Sequence, residues 1–170
     1  MQLKLDALAA HLEKKLAALY VVHGDEHLLA IEATDRIRAA VRKAGFTERD
    51  VLDVDRRFRW SRLAESGQSM SLFGDRKLIE LRIPGGKPGK EGSAALQAYA
   101  KTQTPAQTAG GDTVTLITLP KLDREQKNSA WFAALDRSGI TIEAPLVERA
   151  RLPAWIATRL AAQKQSAAPE

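Results

Sequence analysis

The sequence predicts an α/β fold, a parallel sheet wrapped by helices. Short runs of strand character (Leu19–His23, Val51–Asp55, Leu78–Ile83, Thr113–Leu119 and Ile140–Ile142) alternate with longer stretches whose apolar residues recur at helical spacing. Strands separated by helices pair in parallel, because each crossover returns the chain to the edge it left. The 170 residues suffice for one such domain, or a domain plus a fragment. At that size about 70% of the unfolded surface is buried, enough for a core that needs no staples.

Leu5, Leu8, Leu12 and Leu16 form the stripe of a short first helix. Leu19 to His23 is almost wholly apolar, as a strand covered on both faces must be. Gly24-Asp25 turns the chain into a second helix, in which Leu29, Ala33, Ile37, Val41 and Ala44 face one way and which Gly45 ends. After the strand at Val51–Asp55, Trp60, Leu63, Ala64 and Gly67 fall at i, i+3, i+4 and i+7, one face of an amphipathic helix. Arg76 to Ile83 is the next strand, and a helix runs from about Ser93 to Lys101. Pro120 terminates the strand that starts at Thr113, and Asp123 or Asp112 is available as a helix cap. Arg124 to Arg137 reads as one helix with Trp131, Phe132 and Leu135 near one side. Pro145 marks a change of character, and Leu152 to Gln163 reads as a further helix.

The run Gln68-Ser69-Met70-Ser71-Leu72-Phe73-Gly74-Asp75 places three large apolar side chains past the end of the Trp60 stripe and just before a glycine able to stop the helix. Two arrangements fit these residues. Leu72 and Phe73 either fold inward and close the core over the helix end, which residue type alone favours, or stand outward as an apolar plug.

Four stretches decide between them by likeness: Leu19-Tyr20-Val21-Val22-His23-Gly24-Asp25-Glu26, Met70-Ser71-Leu72-Phe73, Asn128-Ser129-Ala130-Trp131-Phe132-Ala133-Ala134-Leu135, and Leu152-Pro153-Ala154-Trp155-Ile156-Ala157-Thr158-Arg159. In order and spacing the chain resembles the N-terminal part of the delta subunit of the bacterial DNA polymerase III clamp loader. The resemblance implies an AAA+-like (P-loop NTPase-like) sheet over residues 1–143 and the start of a helical lid over 144–170. It also implies a clamp-binding role for Met70, Ser71, Leu72 and Phe73, whose counterparts enter a hydrophobic pocket on the sliding clamp (the beta subunit). Further implied partners are the other clamp-loader subunits, with DNA met indirectly or weakly, and the setting is the cytoplasm. The family continues into a C-terminal oligomerisation domain, so the chain reads as a truncated member. Such a member belongs to a DNA-directed DNA polymerase holoenzyme without being catalytic itself.

A sheet whose first strand runs through a Gly turn into a helix must be tested for nucleotide binding. A P-loop requires Gly-x-x-x-x-Gly-Lys-Ser/Thr, so that bare amides, a lysine and a hydroxyl hold phosphate and Mg²⁺. Counting from Gly24, those last three places are Leu29, Ala30 and Ile31, while Asp25 and Glu26 put negative charge where phosphate would sit. The run Leu116-Ile117-Thr118-Leu119-Pro120 also lacks the carboxylates that would hold the metal. No cofactor is expected. The loop Pro84–Gly92 has glycines and two lysines, but its prolines remove amides that an anion nest would use, and a surface loop is the simpler reading. No nucleophile elbow accompanies the serines.

Composition narrows the classes further. Without cysteine there is neither a disulfide framework nor a thiolate metal site. His11, His23 and His27 are the only histidines, and His23 ends a strand where His27 starts a helix, so they do not share one helical face as zinc ligands would. No run approaches the about 18 apolar residues of a membrane span, and no membrane partner is expected. The formal charge of +5 is spread among 21 acidic residues. Its densest stretch, Asp55-Arg56-Arg57-Phe58-Arg59-Trp60, suggests a DNA contact through Arg56, Arg57 and Arg59 and defines the competing reading, a basic α/β nucleic-acid-binding module.

Overall fold

The computed structural model describes residues 1–68, 76–103 and 111–165. Six strands form one sheet: β1 (Gln2–Leu3), β2 (Leu19–Gly24), β3 (Phe46–Asp53), β4 (Arg76–Arg82), β5 (Thr113–Pro120) and β6 (Ile140–Ala144). Their spatial order is β1-β6-β2-β5-β4-β3, and every pairing is parallel. The helices are α1 (Leu8–Lys14), α2 (His27–Lys43), α3 (Ser61–Gln68), α4 (Gly89–Thr102), α5 (Arg124–Lys127), α6 (Ala130–Ser138) and α7 (Leu152–Ala162), with 3₁₀ turns at Leu5–Ala7 and Arg149–Arg151.

Strand alternation builds two cores. Leu19 and Val21 of β2, Ile79 and Leu81 of β4, and Ile117 and Leu119 of β5 face Leu63 of α3, Leu96 and Tyr99 of α4, and Trp131, Phe132 and Leu135 of α6. Their neighbours Tyr20, Val22, Leu78, Val114 and Leu116 face Leu8 of α1 and Ala33, Ile37 and Val41 of α2. The central strands are thus covered on both faces, which is why Leu19–Val22 of β2 is a continuous apolar run. The parallel sheet wrapped by helices is the architecture that the alternating pattern predicts.

The boundaries differ where polar residues do structural work. β3 begins at Phe46, five residues before the apolar run, because it is the outer strand, bonded only to β4. Its Glu48 and Arg49 spend their charge on Lys77 and Glu80 of that neighbour. β1 has two residues and escapes any periodicity test. The helix expected over Arg124–Arg137 is two helices. Asp123 and Gln126 make a capping box for α5, the chain turns at Asn128, and the Ser129 hydroxyl caps α6 by accepting from the Phe132 amide. α4 starts at Gly89 rather than Ser93. In α3 Ala64 is exposed, contrary to the stripe, while Ser66 is buried with its hydroxyl donating to Asp50 on β3 at 2.5 Å. α7 approaches α2 through Arg159, which bonds Glu32 at 2.5 Å and lies over the Trp155 ring at 4.1 Å.

Candidate functional site

β2 lies between β6 and β5, and the connections from β2 to β3 and from β5 to β6 leave in opposite directions. Ligands of doubly wound sheets bind outside the carboxyl ends of the strands at such a switch point. Here that corner is filled by the protein itself. Gly24 takes φ +152°, and its missing side chain admits the end of β6: a Cβ on Gly24 would stand 2.1 Å from the Ala144 carbonyl oxygen. That carbonyl accepts from the amides of Asp25 (3.1 Å) and Glu26 (3.2 Å). The Glu26 carboxylate caps α2 by accepting from the Leu28 amide. The amides that a P-loop would turn to phosphate therefore bond a carbonyl and a carboxylate, and the dipole of α2 is already met by acidic side chains. Lys121, at the end of β5, gives its ammonium to Asp25 at 2.6 Å, and that hydrogen bond and charge hold it above the ordinary lysine value.

His23 lies one residue earlier, 3% exposed, its ring edge-on to Phe132 at 5.4 Å. Burial lowers its pKa, partly offset by the charge of Glu143, which favours the neutral ring in this apolar setting. His11 pairs instead with the Tyr20 hydroxyl. Among the described residues no three His, Asp or Glu side chains gather as a metal site.

The second candidate lies beyond the far end of α3. Met70, Ser71, Leu72 and Phe73 fall outside the described residues; their flanks do not. α3 is held by Leu63 in the core, by the Ser66–Asp50 bond and by Gly67, where a Cβ would stand 2.9 Å from the Tyr99 ring. On the other side β4 opens with Arg76, whose guanidinium bonds the Ala44 carbonyl at 2.8 Å and covers the Phe46 ring at 4.0 Å. In the chain, Met70 to Phe73 thus follow a pinned helix and precede a pinned strand.

The third candidate, Arg56, Arg57 and Arg59, lies exposed in the turn between β3 and α3. The aromatics interleaved with them are not free to stack on bases. Phe58 and Trp60 meet edge to face at 5.3 Å and both pack against the core.

A charged cluster at Glu80 escaped the sequence. Glu80, 1% exposed, accepts from Arg38 of α2 (2.9 and 3.0 Å) and Arg49 of β3 (2.7 and 3.0 Å). Burial alone would raise its pKa, but the hydrogen bonds and charges of Arg49 and Arg38 prevail and bring it down to about 2. The one visible signal was a carboxylate inside the apolar strand Leu78–Ile83.

A parallel sheet flanked by helices, its switch-point corner closed by its own backbone, defines a doubly wound α/β domain in which internal contacts occupy the corner where such folds hold ligands. The fold matches the Bacillus subtilis DNA clamp loader delta protein with a TM-score of 0.70 at 19% identity, over 95% of this chain and 48% of that one. It also matches a DNA polymerase III gamma subunit-related protein of Thermotoga maritima at 0.52 and 11% identity, over 95% and 54%. Residues 20–145 match the family described as DNA polymerase III, delta subunit, and the chain belongs to that family. It is 30% identical to DNA polymerase III subunit delta of Escherichia coli and 28% identical to that of Haemophilus influenzae, each over 91% of its own length. It spans 43% and 44% of those relatives, less than half of each.

Proposed function

We propose that the chain binds and opens the sliding clamp so that the ring is loaded on DNA, with Met70, Ser71, Leu72 and Phe73 as the clamp-binding element. The other clamp-loader subunits supply ATP hydrolysis; this chain acts by binding energy. Residues 1–143 form the α/β domain that carries the element, 144–170 begin a helical lid, and the complex works in the cytoplasm. One observation supports the reading beyond family membership: α3 spends Leu63, Ser66 and Gly67 on the core, and Met70, Ser71, Leu72 and Phe73 follow these anchors in the chain. Among the described residues no helix is long and apolar enough to cross a membrane.

The test is the double variant Leu72→Ser, Phe73→Ser. Side chains that leave water only on docking contribute roughly 1.5 to 3 kcal/mol each. Clamp binding measured by surface plasmon resonance then weakens by about 3 to 6 kcal/mol, roughly 10² to 10⁴ in Kd, with an unchanged melting temperature. Unchanged affinity overturns the assignment. So does a large drop in melting temperature, which would place the two residues in the core.

A further inference from the structure

Arg159 is the one charged residue of α7, and over residues 152–161 no side chain is buried. A helix so rich in apolar residues is ordinarily held by packing. Here its polar link to the α/β domain, among the described residues, is a single contact, in which the Arg159 guanidinium donates to Glu32 of α2 at 2.5 Å. The guanidinium also lies over the ring of Trp155, one turn back on α7, at 4.1 Å, which presets its direction. Its Nε is buried without an acceptor, so the pair is one bond rather than a bidentate fork. The chain between β6 and α7 is exposed at Pro145, Leu146, Glu148, Arg149, Ala150 and Arg151. It leaves the sheet at Ala144, whose carbonyl holds the amides of Asp25 and Glu26 at the start of α2, and Glu32 lies in the second turn of that helix. α7 is thus tethered to one corner of the fold at two places, by the chain at Ala144 and by Arg159 at Glu32.

We propose that Arg159 and Glu32 form a releasable latch that fixes the angle of α7 against the α/β domain, with residues 145–151 as the hinge. This goes beyond clamp binding and does not depend on it. Apolar packing is not what seats the helix. Leu152 and Ile156 of α7 are exposed, and so are Leu28, one turn before Glu32, and Ile31 beside it, so α7 meets α2 at a point and not along its length. Asp35, the next carboxylate along α2, is taken by Arg38 at 2.6 Å and does not compete for Arg159. The two latch side chains are 34% and 29% exposed, a contact only partly withdrawn from water. Such a pair shifts a two-state equilibrium by about five- to tenfold, not by the roughly 10⁴ that would lock it. Latched and released positions are both within reach of anything that prefers one of them.

The experiment reads hydrogen–deuterium exchange peptide by peptide on the whole chain, together with limited trypsin cleavage after the exposed Arg149 and Arg151. An 11-residue helix is marginal by itself, so release from α2 opens its amides to exchange. Glu32→Gln and Arg159→Gln are each expected to speed exchange over residues 152–162 by about fivefold, with hinge cleavage rising in step and the melting temperature unchanged. The double variant is expected to be no faster than either single one, because both remove the same contact. Exchanging the partners, Glu32→Arg with Arg159→Glu, is expected to restore protection, and the control Asp35→Asn to leave it intact. Unchanged exchange in the single variants would overturn the proposal. So would effects that simply add in the double variant, or a melting temperature that falls along with protection, which would make the pair part of the global fold and not a latch.

Discussion

The indole of Trp60 occupies the place that a side chain on Gly92 would need: a Cβ there would stand 2.3 Å from Cζ2 and 2.5 Å from Cε2. A rigid ring cannot yield a few tenths of an ångström as a flexible side-chain end can. Gly92→Ala is therefore expected to cost about 1 to 3 kcal/mol through displacement of Trp60. Thermal melts check the magnitude, and a red shift in tryptophan emission checks the mechanism.

The same reasoning applies more severely at Gly24, where the obstacle is the Ala144 backbone at 2.1 Å and φ is +152°. Gly24→Ala is expected to cost about 3 kcal/mol or more. Gly45→Ala, at φ +90° with nothing within 4 Å, is expected to cost about 1 to 2 kcal/mol of backbone strain alone. Because the Asp25 and Glu26 amides bond Ala144, calorimetry with MgATP is expected to show no binding, and Ala30→Lys is expected not to restore it. Micromolar binding by either form would overturn this account of the corner.

Glu80 predicts a pH dependence. Its carboxyl falls from 4.5 in the ordinary state to about 2 in the fold, so its contribution is fully present above pH 4.5 and is lost as pH falls toward 2. Glu80→Gln leaves Arg38 and Arg49 without their shared partner and is expected to cost about 3 kcal/mol at pH 7. Melting curves of both proteins between pH 7 and pH 2.5 are expected to converge toward the acid end; a constant gap would show that the carboxylate charge is not what stabilises the fold.

Trp131 is 5% exposed and meets Phe132 edge to face at 5.7 Å within the core of α3, α4, α6 and the central strands. Trp131→Ala is expected to cost about 3 to 5 kcal/mol, or about 10 °C in melting temperature for a chain of this size. Clamp affinity below the melting temperature is expected to be unchanged. Loss of clamp binding at an unchanged melting temperature would assign Trp131 to an interface instead.

The sequence by itself determined the fold class and the central strands, because β2 and β5 are covered on both faces and are built mainly of apolar and β-branched residues. It also determined that the P-loop positions counted from Gly24 hold no lysine and no hydroxyl, since residue identity alone decides that. What needed the tertiary structure were the contacts between residues far apart in the chain. The first half of the edge strand β3, residues 46–50, has no apolar run to mark it, and its Glu48 and Arg49 find their partners only on β4. Glu80 looked like a flaw in its strand until Arg38 and Arg49 closed on it from 42 and 31 residues away. The break at Ser129 turned on one hydroxyl reaching one amide. Closure of the corner by the Ala144 carbonyl is of the same kind. Every residue has a backbone carbonyl, so no sequence pattern says which one will reach the amides at the start of α2.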